Sequence, residues 1–152
     1  MTNPNGKAST IKKTFSRETS VSIDITADPG IIWALLTNAS DYPRWNSTVV
    51  SIEGTIAQGG KIQLKSTLDP KRVFKLAVKE FETDKRLVWG DAMGKRVYTL
   101  TKNGNQTNFS MNEKIGGPIF PLFAKMIPPF DQSFEQFAAD LKKESENIMR
   151  TK

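Results

Sequence analysis

The chain contains no cysteine and no histidine. The first absence excludes a disulfide framework, a thiolate nucleophile and a zinc site built on sulfur. The second removes the commonest general base, the usual catalytic triads and the commonest metal ligand. Any chemistry must therefore use Asp, Glu, Lys, Arg, Tyr or Ser. We assign no catalytic residue and predict neither a metal nor a cofactor.

Long apolar runs are missing as well. The N-terminal stretch MTNPNGKASTIKK lacks the apolar core of a signal peptide, and no later run reaches the length of a membrane span. A chain of 152 residues fits one domain with a real core. We therefore expect a cytoplasmic monomer without membrane insertion, with a disordered basic tail at residues 1–13 and one folded domain at residues 14–150.

The net charge of +6 is concentrated at the N-terminus. Four basic residues and no acidic one precede Glu18, so the rest of the chain carries only +2. There the lysines and arginines alternate with apolar residues along apparent strands, as they do on the solvent face of a sheet. We expect no nucleic-acid partner, and contact of the basic tail with anionic lipid remains an alternative.

Period-two alternation predicts an opening strand at residues 15–25, with Phe15, Val21, Ile23 and Ile25 on one face. Asp28 and Pro29 then begin a short helix, in which the Asp28 side chain can cap the exposed amides. We expect Tyr42-Pro43 to force an extended backbone into Trp45. Six further strands follow, separated by residues typical of hairpin turns, at 48–53, 61–68, 72–82, 86–91, 95–102 and 107–114.

The last quarter of the chain changes to helical spacing. Its apolar residues recur three and four apart and predict one long amphipathic helix: Phe130, Phe134, Phe137, Ala138, Leu141 and Ile148. Pro128-Pro129 separates from it a short helix or irregular flap at residues 119–127. The fold class is α+β: a curved antiparallel sheet of about seven strands, in the order β-αα-β6-α, wrapped around the C-terminal helix.

Three motifs in this order resemble a known family: the start ADPGIIWALLTN, the corner DYPRW and the GGP before the final helices. Together they resemble the helix-grip fold of the START and polyketide cyclase superfamily (SRPBCC), most closely its bacterial polyketide cyclase/dehydrase-like group, over roughly residues 20–148. The resemblance implies an apolar cavity between the sheet and the long helix. It further implies that Trp33 packs the first helix against the sheet and that Trp45 lies near the cavity.

Candidate cavity residues follow from strand parity, because alternate side chains face the same side of a sheet. With Trp45 and the helix aromatics added, the ligand-binding set is Trp45, Leu64, Phe74, Leu76, Trp89, Arg96, Tyr98, Phe109, Met111, Glu113, Phe130, Phe134 and Phe137. Ahead of the double proline, Phe120, Phe123 and Met126 are expected to form a movable lid.

The same parity predicts that two charged residues, Arg96 and Glu113, face the apolar concave side of the sheet. A hairpin centred near Asn103-Gly104 places them at roughly opposite positions, where they can form a cross-strand ion pair. A buried charge is costly unless it is paired or meets a polar ligand. The pair is therefore structural, or a bulge turns one member outward, or the two form with Tyr98 the polar anchor of a small-molecule site.

We expect the protein to bind a hydrophobic small molecule, such as a lipid, an isoprenoid or an aromatic polyketide-like compound. An aromatase, cyclase or dehydratase acting in the same cavity is an alternative, although the sequence contains no catalytic spacing beyond chance. A third possibility is a protein-interaction module, like the chaperone-activating and coenzyme-Q-binding relatives of the fold, which predicts an exposed patch and a collapsed cavity.

Overall fold

Eight antiparallel strands form one open sheet in the computed structural model, which describes residues 5–152. The strands are β1 (Ala8–Lys12), β2 (Ser16–Ile25), β3 (Val49–Gly54), β4 (Lys61–Ser66), β5 (Asp69–Glu82), β6 (Arg86–Gly90), β7 (Gly94–Asn103) and β8 (Gln106–Gly116). Their order across the sheet is β1-β2-β8-β7-β6-β5-β4-β3. Apart from the crossover between β2 and β3, neighbours in sequence are neighbours in the sheet.

Four α-helices cover the sheet: α1 (Pro29–Thr37), α2 (Tyr42–Trp45), α3 (Phe120–Phe123) and α4 (Asp131–Thr151). Short 3₁₀ helices at Ala39–Asp41 and Ala124–Met126 join α1 to α2 and extend α3. The long helix α4 packs against β1, β2, α1 and α2. The α+β class and the long C-terminal helix are thus as predicted.

The sheet bends because its register shifts three times within β3, β4, β5 and β6. These irregularities lie between Val49 and Ser51, between Leu64 and Ser66, and between Val78 and Glu80. An extra residue in one strand of a pair increases local twist and bends the strand. The β3–β6 part of the sheet therefore curls, whereas α4 packs against the other end of the sheet, on β1 and β2.

One face of α4 is buried because its apolar residues recur three and four apart. Phe134, Phe137, Ala138, Leu141 and Ser145 are buried. Phe137 occupies the centre of an aromatic cluster, with its ring 5.8–6.3 Å from those of Tyr42, Trp45, Tyr98 and Phe109. This cluster joins the helix to the concave face of the sheet.

Strand parity correctly identifies the buried face of the strands from β4 to β8. Its predicted inward residues include Ile62, Leu87, Trp89, Tyr98 and Phe109, all of which are at most 2% exposed. On β2 the parity holds for Val21, Ile23 and Ile25 but fails at Phe15. That residue precedes the strand and is 57% exposed.

The predicted disorder of the tail is wrong for residues 8–12, which form β1 and pair with β2. Contacts from α4 fix this strand: the Ala8 amide donates to Glu135 Oε2 at 2.9 Å, and Thr10 Oγ1 donates to Asp131 Oδ1 at 2.5 Å. Because these partners are distant in sequence, the polar stretch of residues 8–12 contains no local pattern that predicts a strand. Residues 1–4 of the predicted tail lie outside the described residues, and the strand count is eight, not about seven.

The predicted extended backbone at Tyr42-Pro43 is also wrong, because both residues belong to α2. Proline is tolerated in the first turn of a helix, where its missing N–H has no intrahelical partner. The Tyr42 hydroxyl donates to the Leu36 carbonyl at 2.6 Å and holds the turn against α1. At the start of α1, Asp28 occupies the N-cap position but its side chain makes no capping hydrogen bond.

Candidate functional site

A cavity of about 470 Å³ opens between the curled part of the sheet and the segment that precedes α4. Its volume lies within the range of roughly 300–1,000 Å³ typical of small-molecule sites. Most of its lining side chains are apolar: Leu64, Leu68, Phe74, Leu76, Trp89, Met93, Ile115, Phe123, Met126, Ile127 and Phe130. We call this space the main cavity.

A smaller chamber of about 30 Å³ adjoins the main cavity and shares five lining residues with it, including Trp89 and Arg96. Tyr98, Phe134 and Phe137 complete its wall on the side of the core. A space of this size holds about one or two water molecules. This inner chamber therefore has room for a small polar group, but not for the body of a ligand.

Arg96 and Glu113 meet across β7 and β8 at directly opposed positions. The Nε of Arg96 donates to Oε1 of Glu113 at 2.5 Å, and the two side chains are 20% and 17% exposed. The guanidinium also lies 5.1 Å from the centre of the Phe134 ring. Both residues thus face the cavity as the parity predicts, and neither is turned outward by a bulge.

The ion pair holds Arg96 charged. Burial by itself would lower the pKa of Arg96, but the charge of Glu113, together with Tyr98, raises that pKa above its ordinary value. Glu113 receives a hydrogen bond from Nε only, so the terminal Nη groups of Arg96 stay able to donate to a ligand. Arg96 lines both the main cavity and the inner chamber.

A second arginine, Arg17 on β2, lies behind the cavity wall and is 8% exposed. Its Nη atoms donate to the carbonyls of Ile127 and Pro128 at 3.1 and 2.8 Å, and it lies 4.9 Å from the centre of the Phe130 ring. Phe130 stacks on Phe134 at 5.9 Å. Two guanidinium groups therefore enclose a pair of stacked rings, with Arg17 at one end and Arg96 at the other.

Sequence reasoning missed Arg17, although a signal for it was present. The alternation of β2 places Arg17 and Thr19 on the same face as Val21 and Ile23, and both polar residues are buried. The same parity that identifies Arg96 applies to Arg17. Burial lowers the pKa of Arg17, and the carboxylates of Glu113 and Asp131 offset this only in part.

The segment of residues 117–129, which we call the cover segment, closes one side of the main cavity. Of the three predicted lid residues, Phe123 and Met126 line the cavity, whereas Phe120 is buried against Phe123 and lines neither space. Arg17 ties the end of the segment to β2. At its start, Gly117 has a φ of 138°, a conformation that other residues rarely adopt.

Thirteen of the sixteen predicted ligand and lid residues line one or both spaces. Trp45, Phe109 and Phe120 line neither. Trp45 packs edge-on against Phe137, and Phe109 stacks on the same ring from the sheet, so both belong to the aromatic cluster of the core. Several polar lining residues were not predicted because they lie in turns or at strand ends, among them Ser66, Asp69, Arg72, Asp91 and Lys95.

The hydroxyl of Tyr98 is buried in the wall of the inner chamber and makes no hydrogen bond of acceptable geometry within residues 5–152. Burial raises the pKa of Tyr98 above its ordinary value, and the nearby positive charge of Arg96 offsets part of this effect. A buried hydroxyl without a partner is destabilising unless water or a ligand satisfies it. Tyr98 and Arg96 therefore present donors to the same small space.

We expect the fold to lose stability at high pH through its two tyrosines. Tyr42 and Tyr98 are the only tyrosines in the chain, and burial raises the pKa of both. Because the folded protein retains protons that the unfolded chain releases, this contribution is intact below the ordinary tyrosine pKa of about 10 and falls as the pH rises further. In an alkaline titration, tyrosinate absorbance should appear together with the loss of circular dichroism. Tyrosinate formed in a fully folded protein would contradict this.

Within the part of the chain that the structure describes, no cluster of carboxylates is arranged to hold a metal ion. Over the same residues, no helix is both long enough and apolar enough to cross a membrane.

Solved structures show the same fold in proteins of low sequence identity. A conserved protein of unknown function from Enterococcus faecalis is 16% identical, with a TM-score of 0.67 over 93% of this chain and 78% of its own. A START superfamily protein from Mycobacterium smegmatis is 15% identical, with a TM-score of 0.63 over 86% of this chain and 98% of its own. DynU16, from the dynemicin biosynthetic locus, is 15% identical, with a TM-score of 0.65 over 87% of this chain and 48% of its own.

At such identities these similarities establish the fold alone. Among curated proteins, none matches the chain. A family model does match, over residues 16–146. This range includes seven of the eight strands, most of α4 and all residues that line the main cavity and the inner chamber. The expected membership is confirmed: the chain belongs to the family described as polyketide cyclase/dehydrase and lipid transport.

Proposed function

We propose that the protein binds a hydrophobic small molecule in the main cavity, between the sheet and α4. The cavity itself carries the proposal, because about 470 Å³ of mostly apolar lining is the usual form of such a site. Apart from Ser66 and the exposed polar residues at the rim, the polar groups are Arg96 and Glu113 at the inner end, which would orient one end of the ligand. A lipid, an isoprenoid or an aromatic polyketide-like compound has the required character.

The cover segment is proposed to act as the lid of this cavity. Two of its apolar residues are unusually exposed, since Leu122 is 83% and Met126 81% exposed. Only short helical turns form within it, and Gly117 gives its first peptide unit conformational freedom. The hydrogen bonds from Arg17 would then hold the lid closed over a bound ligand.

The first experiment is to ask whether purified protein carries or takes up such a ligand. Native mass spectrometry and organic extraction detect a co-purified molecule, and titration with fatty acids, isoprenoids and flavonoids is followed by tryptophan fluorescence. Of the three tryptophans, only Trp89 lines the cavity, so we expect Trp89→Phe to remove the fluorescence change while binding measured by mass spectrometry persists. Absence of a co-purified molecule and of saturable uptake across the panel would refute the proposal.

A cyclisation or dehydration reaction in the same cavity is the second candidate. The observation that favours it is the Tyr98 hydroxyl, which lies beside Arg96 and is free to donate to a carbonyl oxygen of a bound ligand. Under this alternative, Tyr98→Phe abolishes turnover of a bound polyketide-like substrate, and the affinity for that substrate stays within about threefold of the wild-type value. The reason is that an interaction made only in the transition state contributes little to substrate binding. Turnover that survives Tyr98→Phe would exclude this role for the residue.

The interaction-module alternative is less well supported. It predicts a small, collapsed cavity, whereas the main cavity measures about 470 Å³. A protein partner on the exposed apolar side of the cover segment would be compatible with ligand binding rather than a replacement for it.

A further inference from the structure

The inner end of the cavity lies beside two arginine side chains. Arg17 and Arg96 flank the stacked rings of Phe130 and Phe134, and both side chains lie on the concave face of the sheet. Glu113 pairs with Arg96, whereas Arg17 forms no ion pair with any residue between 5 and 152. Its own hydrogen bonds go to uncharged carbonyl groups.

A second carboxylate, Asp131, lies near Arg17. Asp131 lies near enough to Arg17 to affect its pKa, and it keeps its charge while its Oδ1 accepts a hydrogen bond from Thr10 Oγ1 on β1, so the two arginines and the two carboxylates balance. At the rim of the main cavity, the two positive charges of Arg72 and Lys95 are balanced by the two negative charges of Asp69 and Asp91, so the net charge of the rim is zero. The choice of a ligand head group therefore depends on local hydrogen bonding rather than on an excess of charge.

The inner chamber also holds donors without acceptors. Arg96 and Tyr98 line the same space, and the Tyr98 hydroxyl, although it lies beside Arg96, makes no hydrogen bond of acceptable geometry among the described residues. The chamber's 30 Å³ matches a head group of about two oxygen atoms. A carboxylate can accept from both donors and makes a charge-assisted hydrogen bond to Arg96, whereas an alcohol or ester has no charge for such a bond and a trimethylammonium group has no acceptor atom.

We propose that the ligand is a hydrophobic carboxylic acid, bound as its anion with the carboxylate in the inner chamber and the apolar body in the main cavity. This inference rests on the proposed function, since it names the class of ligand that the same cavity takes. It assigns Arg96 and Tyr98 as the head-group ligands. Arg17 positions the ring of Phe130 and the end of the cover segment, and Glu113 weakens binding because it competes for Arg96.

The test is a series of ligands that share one alkyl chain and differ in the head group: dodecanoate, its methyl ester, dodecanol and dodecyltrimethylammonium. Affinities are measured at neutral pH below the micellar concentration. We expect dodecanoate to bind at least about tenfold more tightly than the ester and the alcohol, as a charge-assisted hydrogen bond implies, and the cation to bind least. Equal affinity for dodecanol and dodecanoate would overturn the inference.

Two variants separate this proposal from a purely structural ion pair. Arg96→Gln should reduce the preference for dodecanoate to within about threefold, and Glu113→Gln should increase dodecanoate affinity by about threefold or more, since it removes the competing charge. Arg86→Gln, which breaks the more exposed pair with Glu80 on β5, is the matched control and should change neither affinity. A structural pair predicts instead that Glu113→Gln weakens every ligand equally, which would contradict the proposal.

Folding of each variant is checked by circular dichroism before binding is measured. Should Arg96→Gln fail to fold, the wild-type series and Glu113→Gln still decide the question. If no member of the series and no other hydrophobic ligand binds, the proposed function fails. If neutral ligands bind as well as the acid, only the carboxylate assignment fails.

Discussion

Replacing Phe137 with alanine is expected to lower the free energy of unfolding by about 3–5 kcal/mol. The side chain is 2% exposed and its ring contacts those of Tyr42, Trp45, Tyr98 and Phe109, so its removal leaves a cavity that rigid neighbours cannot fill. A loss of this size is a large share of the roughly 5–15 kcal/mol that stabilises a typical domain. Urea denaturation followed by circular dichroism measures it.

The matched control is Gln132→Ala, an exposed position on α4 in the same helix. We expect this change to alter the free energy of unfolding by no more than about 0.5 kcal/mol. A loss below about 1 kcal/mol for Phe137→Ala would show that the contact between α4 and the sheet depends on other residues. The aromatic cluster would then not be the centre of the core.

Leu76→Trp should have the largest effect on ligand binding. Leu76 lies on β5 with its side chain in the main cavity, and an indole there occupies part of the space that a ligand needs. Overpacking typically costs about 1–3 kcal/mol, which corresponds to roughly a tenfold to hundredfold loss of affinity. The stability of the free protein should change little, because the cavity accepts the larger ring. Isothermal titration calorimetry and thermal unfolding measure the two quantities.

Lys75→Trp provides the control for this substitution. Lys75 is the preceding residue on the same strand, faces the opposite side of the sheet and is exposed. The same tryptophan placed there should leave both ligand affinity and stability unchanged. If Leu76→Trp binds ligand as tightly as Lys75→Trp does, the ligand lies elsewhere.

Much of the sheet was predictable because alternation is a local property of the chain. Tyr98 and Leu100 on β7, and Phe109 and Met111 on β8, face inward as their spacing requires. The opposition of Arg96 and Glu113 was also predictable, since the Asn103 hairpin fixes the register of the whole β7–β8 pair. A short turn between two regular strands determines every pairing that follows it.

The features that were missed depend on contacts between distant parts of the chain. Strand β1 is fixed by side chains of α4 that lie more than a hundred residues away. The helical turn at Tyr42-Pro43 is stabilised by packing against Phe137 and by a hydrogen bond to Leu36. Neither partner is visible in a local pattern, and the preference of a residue before proline for extended backbone is overridden there.

The volume of the cavity was not predictable for a different reason. The same aromatic residues fill a core or line a space, depending on how far the sheet bends away from the helix. Phe109 and Trp45 pack into the aromatic cluster, whereas Phe74 and Trp89 line the main cavity. The three bulges that bend the sheet in β3, β4 and β5 carry no distinctive sequence pattern, so the division between filled and open space follows from the fold alone.

The central claim is that a hydrophobic ligand occupies the main cavity, and methyl NMR of methionine-labelled protein tests it most directly. Met93 and Met126 line the main cavity and Met111 lines the inner chamber, whereas Met149 lies near the end of α4 and lines neither. On titration with dodecanoate, the first three methyl resonances should shift or broaden saturably and that of Met149 should stay in place. Saturable binding that leaves Met93, Met111 and Met126 unperturbed would contradict the account.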